Sequence, residues 1–189
     1  MYELEDESEK AAFYEQGSDR AVAVICTAIV ENRLTAVLKA SMKSDAEALT
    51  ELFRPSGPLG NLGTKIRLTY LLGLIHQDVY RDLLLVTKIR NDFAHNVRIT
   101  AFQDESIKNR VNSLRALAVW KSLQEHENSE IQSHPKDFDL KLRAQILRDE
   151  LSTIRDSFKM CLRFYIWKLV ETEKSVSAGT AGKPHPTAE

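Results

Sequence analysis

The chain has 189 residues, enough for one domain with a complete hydrophobic core and at most a short tail. Hydrophobic residues make up 43% of it and charged residues 28%, which excludes a disordered or fibrous protein. A net charge of −1 excludes a strongly cationic protein that attracts nucleic acid over its whole surface. Only seven glycines and five prolines are present, so we predict an all-α fold rather than a β-sandwich or a doubly wound sheet.

The first segment, residues 1–17, is acidic, and residues 1–19 together carry a net charge of −6. A secretory signal would be basic and then apolar, so we expect a solvated acidic segment and a cytoplasmic protein. The longest apolar stretch, residues 21–30, is too short to span a membrane, and no membrane contact is expected.

A single helical domain is predicted over residues 18–173, followed by a disordered tail at 174–189. Ser18 is the expected N-cap of the first helix, Ser44 and Glu47 form a capping-box pattern, and Gly73 is well placed to end the third helix. The six predicted helices span residues 18–42, 44–53, 62–72, 77–94, 104–124 and 138–173.

The connection at residues 54–61 contains two prolines and two glycines, which forbid a continuing helix and require a shaped loop. Its glycines could present backbone N–H groups to an anion at the start of the third helix, with Lys65 and Arg67 nearby. Alternatively, the loop is a rigid connector that packs over the polar cluster described next. The candidate interaction residues are Arg54, Pro55, Ser56, Gly57, Pro58, Gly60 and Lys65.

Arg90, Asn91, Asp92 and His95 form a polar cluster near the end of the fourth predicted helix. Asn91 and His95 are four residues apart, so they share one face, whereas Arg90 and His95 point about 140° apart on a regular helix. If the helix loosens or a second subunit contributes, Arg90 and His95 would form a phosphate clamp with an acid/base group suited to RNA cleavage. The other interpretation is a buried polar network that fixes helix packing.

Signatures of cofactor and metal binding are missing from the sequence. It contains no glycine-rich phosphate loop, no HExxH motif and no zinc-ligand spacing, so we expect neither a cofactor nor a metal. Cys26 and Cys161 are isolated in apolar runs, which predicts buried, reduced thiols.

Four stretches, residues 53–66, 70–75, 80–83 and 88–95, resemble the mannitol operon repressor (MtlR) family. The resemblance implies a single all-α domain, negative regulation of the mannitol transport and utilisation operon, and no recognisable DNA-binding motif. Residues 90–95 are also similar to the Arg-x4-His motif of HEPN domains, helical proteins that often dimerise and in some families cut RNA. That second resemblance implies Arg90 and His95 as the cleavage pair, with Asn91 beside them.

The leading hypothesis is therefore a non-enzymatic repressor that acts through a protein partner, with direct contact to DNA or RNA left open. An RNA-binding or RNA-cleaving HEPN-like domain is the alternative, and an anion sensor built on the 54–61 loop is the third. A homodimer is expected because Phe158, Tyr165, Ile166 and Trp167 place apolar groups on more than one face of the last helix.

Overall fold

The computed structural model describes residue 11 and residues 17–134 and 137–179. Within these residues the regular structure is entirely α-helical, which confirms the predicted class. The helices are α1 (Asp19–Ala40), α2 (Ala46–Phe53), α3 (Leu62–Leu71), α4 (Gln77–His95), α5 (Glu105–Asn112), α6 (Arg115–Ser133), α7 (Phe138–Glu150) and α8 (Ile154–Ser177).

The described part of the chain has eight helices, not the six predicted, because two predicted helices are each divided. The fifth is interrupted at Ser113 and Leu114, and the sixth at residues 151–153. Thr153 is the N-cap of the new helix α8, since its hydroxyl accepts a hydrogen bond from Asp156 N at 3.0 Å. The last helix reaches Ser177, four residues past its predicted end. Residues 1–10 and 12–16 of the acidic segment, and the tail from 180 onward, lie outside the described residues.

Local capping signals explain several helix ends. Ser18 caps α1 as predicted, with its hydroxyl accepting from Ala21 N at 3.2 Å. Gly73 ends α3 with a φ of +71°, and the Gly73 and Leu74 N–H groups bond back into the last turn in a Schellman motif. The predicted capping box is wrong, because Asp45 rather than Ser44 caps α2.

Helices α1 and α8 pack together most extensively, and α3, α4, α5 and α6 surround them. Buried apolar residues from all these helices form one hydrophobic core. Three of the four residues expected to cover a partner's helix, Phe158, Tyr165 and Ile166, are buried in this core. Their burial removes the packing argument for a homodimer.

By length and composition alone, helix α1 is long and apolar enough to cross a membrane. Nine of its residues, however, are buried against other helices of the domain. A helix buried inside a protein core can be as apolar as a membrane-spanning helix, so the packing of α1 in the core explains its apolar composition.

Both cysteines are free and buried, as predicted. Burial raises the pKa of the Cys26 thiol to about 11 and that of the Cys161 thiol further. Both groups therefore behave as small apolar side chains at neutral pH.

A candidate interaction surface at the end of helix α4

The polar cluster lies on the last turns of α4, which continues without interruption to His95. Arg90 is partly buried and donates from Nη1 to Asn91 Oδ1 at 3.0 Å, while Asn91 and His95 are exposed. The side chain of His95 has no hydrogen-bond or ion-pair partner among the described residues. The predicted buried network of all four residues is therefore not formed.

The continuous helix also bears on the RNA-cleavage hypothesis. Five residues of regular helix rotate the side chain of His95 about 140° away from that of Arg90. The loosening that would bring the two groups together within one chain is not present.

Asp92 is the one member of the cluster that ties α4 to another helix. Its carboxylate forms an ion pair with Arg110 of α5, and both side chains are about one-third exposed. The ion pair joins the two helices. A packing role was expected for the cluster, but the partner of Asp92 is Arg110, which is not a member of the cluster.

Arg20, at the start of α1, holds the backbone that follows the cluster. Its guanidinium donates to the carbonyl oxygens of Phe93, of Asn96 at 3.3 Å and of Ile99 at 3.0 Å. These carbonyls lie at and beyond the C-terminus of α4, where helical partners are missing. One side chain therefore shapes residues 93–99, and nothing in the local sequence pattern pointed to it.

Replacing Arg20 with methionine should keep most of the apolar stem but leave the three carbonyl oxygens without this donor. We expect the free energy of unfolding to fall by about 1–2 kcal/mol, because the carbonyls are partly accessible to water. Amide hydrogen exchange at residues 96–99 should accelerate. The exposed Arg67→Met variant is the control, and equal effects of the two changes would contradict the bridging role.

The segment after α4 is a rigid turn with one exposed apolar side chain. Asn96 Oδ1 accepts from Arg98 N at 3.0 Å, and Asp104 Oδ2 accepts from Thr100 N at 2.8 Å. The backbone hydrogen bonds to Asp104 lower the pKa of its carboxyl group. Within the first of these turns, the Val97 side chain is 84% exposed.

The 54–61 loop uses its own amides internally. Gly57 N donates to Arg54 O at 2.8 Å, Gly60 N to Gly57 O at 3.0 Å, and Leu59 N to Leu52 O at 2.9 Å. Glycine N–H groups that are already paired cannot cradle an anion, so the geometry favours the rigid connector. No hydrogen bond or ion pair joins this loop to the α4 cluster among the described residues.

A Gly60→Ala substitution should destabilise the loop, because the new Cβ would lie inside van der Waals contact of the Pro55 and Arg54 carbonyl oxygens. Backbone atoms cannot yield as a flexible side chain does, so we expect a loss of about 1–3 kcal/mol in unfolding free energy. Thermal denaturation measures it. Ser56→Ala, at an exposed position of the same loop, should be nearly neutral, and a comparable loss there would argue against the steric explanation.

Lys65, one of the candidate interaction residues and a neighbour of the possible anion site, is instead a buried structural residue. It is 6% exposed, and its Nζ lies 2.7 Å from Glu31 Oε1 of α1. The ammonium group is thus already paired with a carboxylate inside the domain. This pairing removes it from the loop's surface.

Asp82 is a buried polar residue whose role is not predicted by the sequence pattern. Its carboxylate accepts from Arg115 N and Ala116 N, both at 3.1 Å, and from the Tyr165 hydroxyl. These backbone donors begin α6, whose own N-cap Leu114 cannot accept a hydrogen bond through its side chain. Helical spacing in the sequence could have indicated its burial, since Asp82 lies on the same helix face as the apolar residues Val86, Ile89 and Phe93.

These features define an all-helical domain with a rigid polar and apolar surface at one helix end, and no metal-binding cluster among the described residues. The chain belongs to the mannitol repressor (MtlR) family, whose sequence model it matches over residues 5–162. The match confirms the resemblance found in the sequence.

Named relatives agree with this assignment. The mannitol operon repressors of Escherichia coli strains K12 and O6:H1 (CFT073) are each 32% identical over 72 residues, or 38% of this chain. The chain aligns with only 37% of the length of those two relatives. The X-ray structure of the MtlR–HPr complex from Escherichia coli matches with a TM-score of 0.60 and 20% identity, covering 85% of this chain and 94% of that one. This likeness shows a shared fold.

Proposed function

We propose that the protein negatively regulates mannitol transport and utilisation genes as a non-enzymatic repressor that acts through a protein partner. The observation that carries the proposal is the family match over residues 5–162. The Escherichia coli relative of the same fold was solved in complex with HPr, so we propose the HPr of the source organism as the partner. Two free, buried cysteines are in keeping with a cytoplasmic place of action.

We propose the end of α4 as the partner-binding surface, made of Asn91, His95, Val97 and Arg98. The Val97 side chain is exposed, and its sequence neighbours Asn96 and Arg98 are exposed polar residues that could form the polar rim of a contact. Arg20 already holds the backbone of residues 93–99, so little conformational entropy would be lost on binding. The side chains of His95 and Arg98 make no hydrogen bond or ion pair among the described residues, so their polar atoms are available to a partner.

Calorimetric titration with HPr tests both the partner and the surface. Wild type should bind, and Val97→Asp should weaken binding about tenfold or more, since it places a charge where apolar contact is expected. Val119→Asp is the matched control, because Val119 is an exposed valine on α6, away from the end of α4. Equal weakening by both variants would overturn the surface assignment, and no binding by wild type would overturn the partner.

A gel-shift measurement on the operon control region tests indirect action. We expect the purified protein alone to show no tight, sequence-selective binding at near-physiological salt. Dissociation constants near 10⁻⁸ M or below are the range of operator-binding proteins and would contradict repression through a partner.

A further inference from the structure

A cleft lies between α6, α7 and α8, away from the candidate surface at the end of α4. It has a volume of about 410 Å³, within the range of pockets that hold small organic molecules. Most of its wall is apolar and comes from Trp120 and Leu123 of α6, Ile146 and Leu147 of α7, and Met160 of α8.

The same wall carries three charged residues, and they differ in whether a residue of opposite charge or a hydrogen-bond donor is paired with them. Arg163 is paired with Glu150 at 3.0 Å, so its charge is balanced within the domain. Glu127 has a buried oxygen, Oε2, that accepts no hydrogen bond among the described residues. Arg143 is exposed and likewise has no hydrogen-bond or ion-pair partner in the described part of the chain.

A buried carboxylate oxygen without a donor is unfavourable in an apolar surrounding, and native structures rarely contain one without a reason. Glu127 and Arg143 come from facing helices of one cleft but do not pair with each other. A ligand that lies between them can donate to the Glu127 oxygen and accept from the Arg143 guanidinium. Because the terminal bond of a glutamate side chain is broadly two-fold, either of its oxygens can turn to meet an arriving donor.

We propose that this cleft binds a small zwitterion with an apolar body, the chemical class of the apolar α-amino acids. The ammonium group would donate to Glu127, the carboxylate would accept from Arg143, and the hydrocarbon side chain would lie against Trp120, Leu123 and Leu147. A purely anionic ligand would leave the buried Glu127 oxygen without a donor, and a purely cationic ligand would make no contact with the Arg143 guanidinium at the exposed edge of the cleft. The site is independent of the proposed HPr-binding surface.

Titration calorimetry with three isosteres tests the assignment on the full chain. The probes are L-leucine, 3-methylbutylamine, which lacks the carboxylate, and 4-methylpentanoate, which lacks the ammonium group. Leucine should bind at least about tenfold more tightly than either analogue, since each loses a charged hydrogen bond. An amine or acid that binds as well as leucine would overturn the zwitterion assignment, as would no leucine binding below about 1 mM.

Matched variants locate the binding. Glu127→Gln and Arg143→Gln should each weaken leucine binding about tenfold or more, whereas Glu125→Gln, two residues away on α6 and therefore on another face, should not. Glu127→Gln keeps the side-chain volume, Arg143→Gln shortens an exposed side chain, and an unchanged helical circular dichroism spectrum verifies folding. Equal affinities in the wild type and in both cleft variants would place leucine elsewhere and overturn the proposal.

Discussion

Replacing Asp82 with alanine should lower the free energy of unfolding by about 3–5 kcal/mol, because three donors lose a buried acceptor. Asp82 is 3% exposed and accepts from the Tyr165 hydroxyl and from the first two N–H groups of α6. Burial raises the pKa of the Tyr165 hydroxyl, so this group stays protonated and donates its hydrogen bond to Asp82 at all ordinary pH values. Urea unfolding followed by circular dichroism measures the loss as a lower midpoint.

Asp78→Ala is the matched control for Asp82, one helical turn earlier on α4. Asp78 pairs with Arg115 in a partly exposed ion pair, and its removal should cost less than about 1 kcal/mol. Tyr165→Phe should fall between the two, since it removes one donor and leaves the α6 amides capped. Similar losses for Asp78→Ala and Asp82→Ala would contradict the role of Asp82 as a tertiary cap.

Phe102→Ala should cost about 3–5 kcal/mol, which is the usual loss for removing a fully buried aromatic ring. Phe102 lies in the irregular segment between α4 and α5, yet it is completely buried. Its ring centroid is 4.9 Å from that of Phe93 and 5.1 Å from that of Phe158. Alanine would leave a cavity where three structural elements meet, and a lower denaturation midpoint would report it.

Phe138→Ala tests whether burial rather than residue type causes this loss. Phe138 begins α7 and is 74% exposed, so its removal should change stability by no more than about 0.5 kcal/mol. The two substitutions remove the same side chain, and a comparable effect at both positions would contradict the packing argument. If the Val97 surface binds the partner, Phe102→Ala should also weaken that binding, because the ring anchors the segment that follows Val97.

Much of the helical architecture was predictable because its signals are local. Apolar periodicity and caps such as Ser18 and Gly73 act within one or two turns of the chain, so the first four helices were found with ends within two residues. The missed interruption at residues 151–153 also had a local signal, the Thr153 N-cap with Asp156 three residues later.

The candidate surface was only partly predictable. Residues 90–95 were located at the end of a helix, but their surroundings depend on residues far away in the chain. Arg20 is more than 70 residues from the carbonyls it binds, and Arg110 is 18 residues from Asp92. The burial of Lys65 was not predictable, because its ammonium group pairs with Glu31, which lies 34 residues away in the chain.

The sequence by itself determined the all-α class, the shaped loop at residues 54–61 and the family resemblance, since each depends on residue type and short spacing. Tertiary structure decided where α6 begins, which polar groups are buried, and that α6, α7 and α8 enclose a cleft. The physical reason is that a buried donor or acceptor must be paired wherever the fold brings a partner, as Asp82 is with the start of α6.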